Sequence, residues 1–137
     1  MCSGRRWGDW RVVSARVGAH AAVLVHLTRR VAPRTPVVVV DTGHLFPGTY
    51  RFADALQRRF GLNLQVYGPR MTAAREEALH GRLWEQGDEG VDAYLQRNKV
   101  EPMQRALREL GATAWMAGLR SRQTEHRAGL NRVGTQD

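Results

Sequence analysis

The stretch Asp41-Thr42-Gly43-His44-Leu45-Phe46-Pro47-Gly48-Thr49-Tyr50 follows the apolar run PVVVV. A chain that leaves a buried strand through an acid, a hydroxyl and a glycine before starting a helix has the layout of a phosphate or sugar site at the end of a parallel sheet. The same residues can make an ordinary turn, with Asp41 capping backbone amides. Basic side chains gather later in GLRSRQTEHR, from Gly118 to Arg127, and Lys99 stands in NKVEPM. Guanidinium forks bind two oxygens at once and so suit phosphate and sulfate, although a solvated basic tail has the same composition. The only thiol is Cys2, which leaves no route to an intramolecular disulfide or a cysteine-based metal cluster. His20, His26 and His80 lack the H-x-x-x-H spacing of a zinc pair, and no metal site is expected.

The whole chain shares the bias of these stretches. It has 137 residues, with 21 Lys and Arg against 13 Asp and Glu, a formal charge of +8 and a pI near 11.1. Such a balance favours polyanionic ligands. The arginines are scattered rather than held in one block, so a phosphorylated metabolite fits as well as nucleic acid does. An aromatic-studded basic strip, which would favour nucleic acid, is absent. Hydrophobic residues make up 42% and charged residues 25%, which argues against wholesale disorder. The apolar stretch VGAHAAVLVHL is too short to span a bilayer. With no disulfide framework and no signal-like start, a cytoplasmic setting is the expectation.

The elements that must position these residues follow from periodicity. DWRVVSA reads as a strand entering a turn at Gly18. AHAAVLVHLTRRV reads as a helix with Ala22, Val25 and Leu27 toward the sheet and Arg29 and Arg30 in its last turn. PVVVVD is a continuous apolar run of the kind buried on both faces. TYRFADALQRRFG places Phe52, Leu56 and Phe60 at spacings of four, with Gly61 as the stop. LNLQVYG alternates as a third strand. Residues 72–100 read as mostly helical, interrupted by glycines at 81, 87 and 90. EPMQRALRELG is a further helix with Pro102 in its first turn, and ATAWMAGLR gives a fourth strand. This alternation predicts an α/β domain: a mostly parallel, doubly wound, Rossmann-like sheet of about four strands flanked by helices, in one domain over residues 1–137. Ligands are expected at the edge where strand order reverses.

Three separated segments carry a resemblance. VSARVGAHAAVLVHL, DTGHLFPGTYRFADAL and LWEQGDEG…NKVEPMQRALRELGATAWMAGLR resemble the assimilatory phosphoadenylyl-sulfate reductases of the adenine-nucleotide α-hydrolase superfamily, from about Val12 to Leu130. The resemblance implies binding of 3′-phosphoadenylyl sulfate, or of the product adenosine 3′,5′-bisphosphate. It also implies thiolate attack by a cysteine in a C-terminal ECGLH-type motif, and release of sulfite by thioredoxin or glutaredoxin. A homodimer is a further expectation. No cofactor is expected, and one cysteine cannot hold an iron–sulfur cluster.

Site residues carry over position by position. In SARVG, Ser14 and Gly18 match the family's serine-rich anion loop, while Ala15, Arg16 and Val17 depart from it. By resemblance Asp41, Thr42 and Gly43 lie beside the adenosine and ribose, with His44 where tyrosine is usual and with Phe46 and Pro47 as packing. Lys99 matches a phosphate contact, and Glu101 is read as capping its helix or pairing with an arginine. Trp84 and Leu83 are read as core and Glu85 as structural. In the second anion loop Gly118, Arg120 and Arg127 match, Ser121 replaces an arginine, and Arg122 stands one place along as a substitute. No ECGLH-like segment occurs, so no catalytic residue is assigned. The expectation is the central part of a reductase, truncated or inactive alone. A non-catalytic nucleotide-binding or regulatory module is the alternative, and a basic RNA binder the weaker one.

Overall fold

The computed structural model describes residues 12–14 and 19–118. Along the chain run β1 (Val12–Ser14), α1 (Ala19–Val31), β2 (Val37–Val40), α2 (Pro47–Phe60), β3 (Leu64–Tyr67) and α3 (Ala73–His80). A short 3₁₀ turn (Leu83–Glu85) then leads into α4 (Gly87–Leu95), a π turn (Gln96–Val100), α5 (Glu101–Glu109) and β4 (Trp115–Ala117). The four strands are parallel, in the order β3-β2-β1-β4. This is the doubly wound, Rossmann-like α/β arrangement that the alternation of strand and helix patterns predicts.

Side-chain alternation on β2 explains why helices lie on both faces. Val37 and Val39 meet Ala21 and Val25 of α1 and Ala53 and Leu56 of α2 around a small apolar cavity. Val38 points the other way and packs with Ala106 of α5, against Met103, Leu107 and Leu110. A period of two thus gives β2 two buried faces, which is why its sequence reads as unbroken valine. Helix α2 starts at Pro47, two residues before the expected Thr49; its fixed φ suits a first helical position. It ends at Gly61, whose φ of 56° is the left-handed stop read from the sequence.

Leu27 and Trp84 depart from the packing expected of them. Leu27 does not face the sheet: it is 52% exposed, while Ala21 and Val25 form the buried stripe of α1. Residues two apart on a helix lie about 200° apart around the axis, so Val25 and Leu27 cannot share one face. Trp84 is likewise not core. It is 40% exposed, whereas its neighbour Leu83 is buried as expected.

Candidate functional site

All four strands run the same way, so their carboxyl ends make one edge. Ser14 ends β1 level with Val38 and Ala117 of its neighbours. Asp41 follows β2, Gly68 follows β3 and Gly118 follows β4. From β1 the chain steps outward to β2 and β3, then returns to place β4 on the other side of β1. The reversal of strand order lies between β1 and β4, the kind of place where open parallel sheets bind ligands. Ser14 and Gly118 lie at the ends of the two strands on either side of that reversal. Gly18, Arg120, Arg122, Arg127 and Cys2 lie outside the described residues.

The loop after β2 is folded on itself. Asp41 donates its backbone N–H to the Tyr67 carbonyl at 2.8 Å, which continues the β2–β3 ladder by one bond. Its Oδ1 accepts the Gly43 N–H at 2.8 Å and the Tyr50 hydroxyl at 2.7 Å. Asp41 therefore does cap a backbone amide, and it also ties the loop to the first turn of α2. Its Oδ2 has no hydrogen-bond partner among the described residues. The bond to Asp41, with burial and the carboxylate charge adding to it, raises the Tyr50 phenol above its ordinary value and keeps it a donor. Thr42 is buried, and its Oγ1 accepts the His44 N–H at 3.3 Å. Gly43 has a φ of 76° and sits so close to Ala73 that an added Cβ would lie 3.1 Å from the alanine methyl. The positive φ favours glycine there, and the alanine methyl leaves a side chain little room.

Three rings stand beside this loop. His44 meets Trp84 edge-on at 5.2 Å between centroids and Tyr94 at 6.2 Å, and Trp84 meets Tyr94 edge-on at 5.5 Å. Edge-to-face geometry suits ring quadrupoles. It also explains the partial exposure of Trp84, whose partners are loop and helix side chains rather than the sheet. Phe46, expected to pack, is 82% exposed. It is the extended residue before Pro47, at the N-cap of α2.

Lys99 lies exposed in the π turn that precedes α5. The start of α5 is fastened to the carboxyl edge by Arg105, whose guanidinium donates to the Gly68 carbonyl just beyond β3. Lys99 lies six residues earlier in the chain, within the π turn rather than in α5 itself. Glu101 pairs as expected, accepting from Arg70 and Arg105 at 3.1 Å each. Burial pushes its carboxyl up, but the two guanidinium bonds outweigh it and the net shift is downward. Tyr67 completes the cluster, with Arg105 over its ring at 5.6 Å and its hydroxyl donating to Glu109 at 3.1 Å. Burial and that bond raise its phenol.

Sequence reasoning missed Tyr50, Arg70, Arg105 and Asn98. Tyr50 was the most accessible of these, since an aromatic hydroxyl one turn into α2 can fold back on the acid that opens the loop. The partners of Arg70 and Arg105 required the β3–α5 contact, which no local pattern encodes. Among the described residues there is no group of three or more metal-ligating side chains, and no helix is long and apolar enough to cross a membrane.

Comparison with known proteins agrees with this geometry. The family model for the phosphoadenosine phosphosulfate reductase domain matches residues 11–137. The phosphoadenosine 5′-phosphosulfate reductase of Alkalilimnicola ehrlichii is 57% identical over 127 residues, covering 89% of this chain and 52% of the relative. That of Thiocapsa roseopersicina is 52% identical over 126 residues, covering 92% and 53%. The chain spans about half the length of the curated relatives it matches. Among solved structures, the phosphoadenylyl-sulfate reductase of Candida auris, determined as a phosphate complex, superposes with a TM-score of 0.67 at 28% identity, over 80% of this chain and 53% of that one. The wound sheet, the reversal beside β1 and a family match over nearly the whole sequence agree: this chain belongs to the phosphoadenosine phosphosulfate reductase domain family.

Proposed function

We propose that the chain is the nucleotide-binding core of a phosphoadenylyl-sulfate reductase and holds 3′-phosphoadenylyl sulfate across the carboxyl edge of its sheet. The observation that carries the reading is the reversal of strand order beside β1, with Ser14 and Gly118 on either side of it and the Asp41–Gly43 loop on the adjacent strand. In this reading Ser14 and Gly18 offer a hydroxyl and backbone amides to an anion near the start of α1. Asp41, through its Oδ2, accepts from the ribose or the adenine amino group, and Thr42 and Gly43 let the backbone approach. Lys99, Arg120, Arg122 and Arg127 neutralise the phosphates and sulfate.

The reaction of such a site is a two-electron reduction of sulfur. A thiolate attacks the sulfate sulfur, the bond from sulfur to the bridging phosphate oxygen breaks, and adenosine 3′,5′-bisphosphate leaves. A second thiol, from thioredoxin or glutaredoxin, then attacks the cysteine sulfur of the thiosulfonate. Sulfite is released and the two thiols become a disulfide. The side chains assigned here bind and neutralise; none of them is a thiol, and Cys2, ahead of β1, is the only cysteine in the sequence. We therefore expect this chain alone to bind nucleotide without turning it over.

Thermal unfolding with adenosine 3′,5′-bisphosphate tests the reading. A ligand at about 100 times its Kd adds about 2.7 kcal/mol of stability, so the melting temperature should rise, and Arg120→Ala should abolish the rise. No shift at ~1 mM ligand, a concentration at which even a Kd of about 10 μM gives that full gain, would overturn it. Sulfite release in the presence of thioredoxin should be absent. Turnover that survives Cys2→Ser would show the thiol assignment to be wrong.

A further inference from the structure

Glu76 and Asn98 are buried polar side chains with no part in the ligand contacts described above. Asn98 is 0% exposed and Glu76 5%. The Asn98 Nδ2 donates to Glu76 Oε2 at 2.7 Å and to the Tyr94 carbonyl at 3.2 Å, which uses both of its hydrogens. The other carboxylate oxygen, Glu76 Oε1, lies 3.8 Å from the Arg97 guanidinium. Asn98 Oδ1 is buried with no partner. A shape-matched apolar side chain would avoid that orphan, so what the amide adds is direction.

That direction acts on an irregular turn. Over Gln96–Val100 the helix widens, and the Glu101 N–H reaches the carbonyl of Gln96, five residues back. A π turn is costly and rare, and it turns the residues within it away from the α-helical path. Asn98 lies inside the widened turn. Its amide covers a carbonyl at the end of α4 and ties the turn sideways to α3. Arg97 and Asn98 are both drawn toward Glu76, and Lys99 is the next residue, exposed beside them.

We propose that Asn98, held by Glu76, is a positioning residue that fixes the π turn so that Lys99 meets the anionic ligand. The proposal rests on the nucleotide reading given above. Calorimetric titration of the full chain with adenosine 3′,5′-bisphosphate, run as a cycle over Asn98→Ala, Lys99→Ala and the double variant, tests it. Each single change should weaken binding about tenfold, the scale of one charged hydrogen bond, and the double variant should be no weaker than the weaker single. Glu76→Gln keeps an oxygen to accept from Asn98 and should bind within about threefold of the wild type.

Unchanged affinity in Asn98→Ala with only a lower melting temperature would overturn the proposal, as would losses that multiply in the double variant. Should Asn98→Ala not fold, Asn98→Ser, whose hydroxyl is too short to reach Glu76, takes its place in the cycle. A readout without nucleotide isolates the clamp: amides 97–101 should exchange faster in the Asn98 variant, and equal rates would overturn it. No binding by the wild type would instead overturn the nucleotide reading and this proposal with it, and the exchange data separate the two failures.

Discussion

Helix α2 leaves every residue at least partly exposed, whereas Asn98, Pro102 and Ala106 in the crossover from β3 to β4 are sealed from solvent. The first flank is held by small apolar side chains, Ala21, Val25, Ala53 and Leu56, around Val37 and Val39. The second adds ties that demand geometry: Asn98 to Glu76, Arg105 to the Gly68 carbonyl, and Arg70 and Arg105 to Glu101. Hydrophobic contact is tolerant of small shifts, while hydrogen bonds lose strength within tenths of an ångström. Directional ties are thus more numerous in the crossover that carries Lys99 than on the α2 flank, where the Tyr50 bond to Asp41 is their counterpart.

Glycine substitutions give the sharpest way to break this contrast. Gly90 of α4 lies against the preceding 3₁₀ turn, where an added Cβ would collide with the Leu83 carbonyl oxygen. Backbone on both sides cannot yield cheaply, so Gly90→Ala should cost about 2–3 kcal/mol, at the upper end of overpacking. Denaturant midpoints check this, and a loss below about 0.5 kcal/mol would show the crossover to be looser than its burial indicates. On the other flank Gly48 lies in the first turn of α2, with nothing within 4 Å of an added Cβ. Gly48→Ala should stabilise the protein by about 0.4–1 kcal/mol through the unfolded chain alone.

The smallest effect concerns acid. Glu101 has a native pKa below its unfolded value. Its contribution is therefore complete above the ordinary glutamate pKa of about 4.3 and disappears as pH falls through the lowered native value. Glu101→Gln should bring stability at neutral pH closer to that in acid, measured as a shallower fall of melting temperature below about pH 4.3. An unchanged acid limb would mean that the arginine ties at this end of α5 contribute nothing beyond surface pairing.

The comparison also shows what the sequence could disclose. The valine run of β2, the Gly61 stop and Pro102 at the start of α5 are local signals, and each appears where it was read. The π turn was not legible, because QRNKV carries no composition that separates a wide turn from an ordinary one. Leu27 and Trp84 were misjudged for a related reason: hydrophobicity says that a side chain can be buried, and only the path of neighbouring elements decides whether it is. Of the residues that the family motifs single out, Asp41, Thr42 and Gly43 stand in the loop that follows β2, and Lys99 stands in the π turn before α5. The motifs gave no hint that Asp41 would already be engaged by Tyr50, a bond that depends on how α2 leaves the loop.

The placement of β1 has a kinetic consequence. Its neighbour on one side, β2, follows after a single helix, but its partner on the other side, β4, is about a hundred residues further along the chain. The middle of the sheet is made first and completed last. Until β4 docks, one side of β1 presents unpaired amides and carbonyls, so a nascent or refolding chain passes through a species able to recruit a stray strand. Aggregation during refolding should therefore depend on how quickly the last pairing closes, more than on the stability of the finished fold.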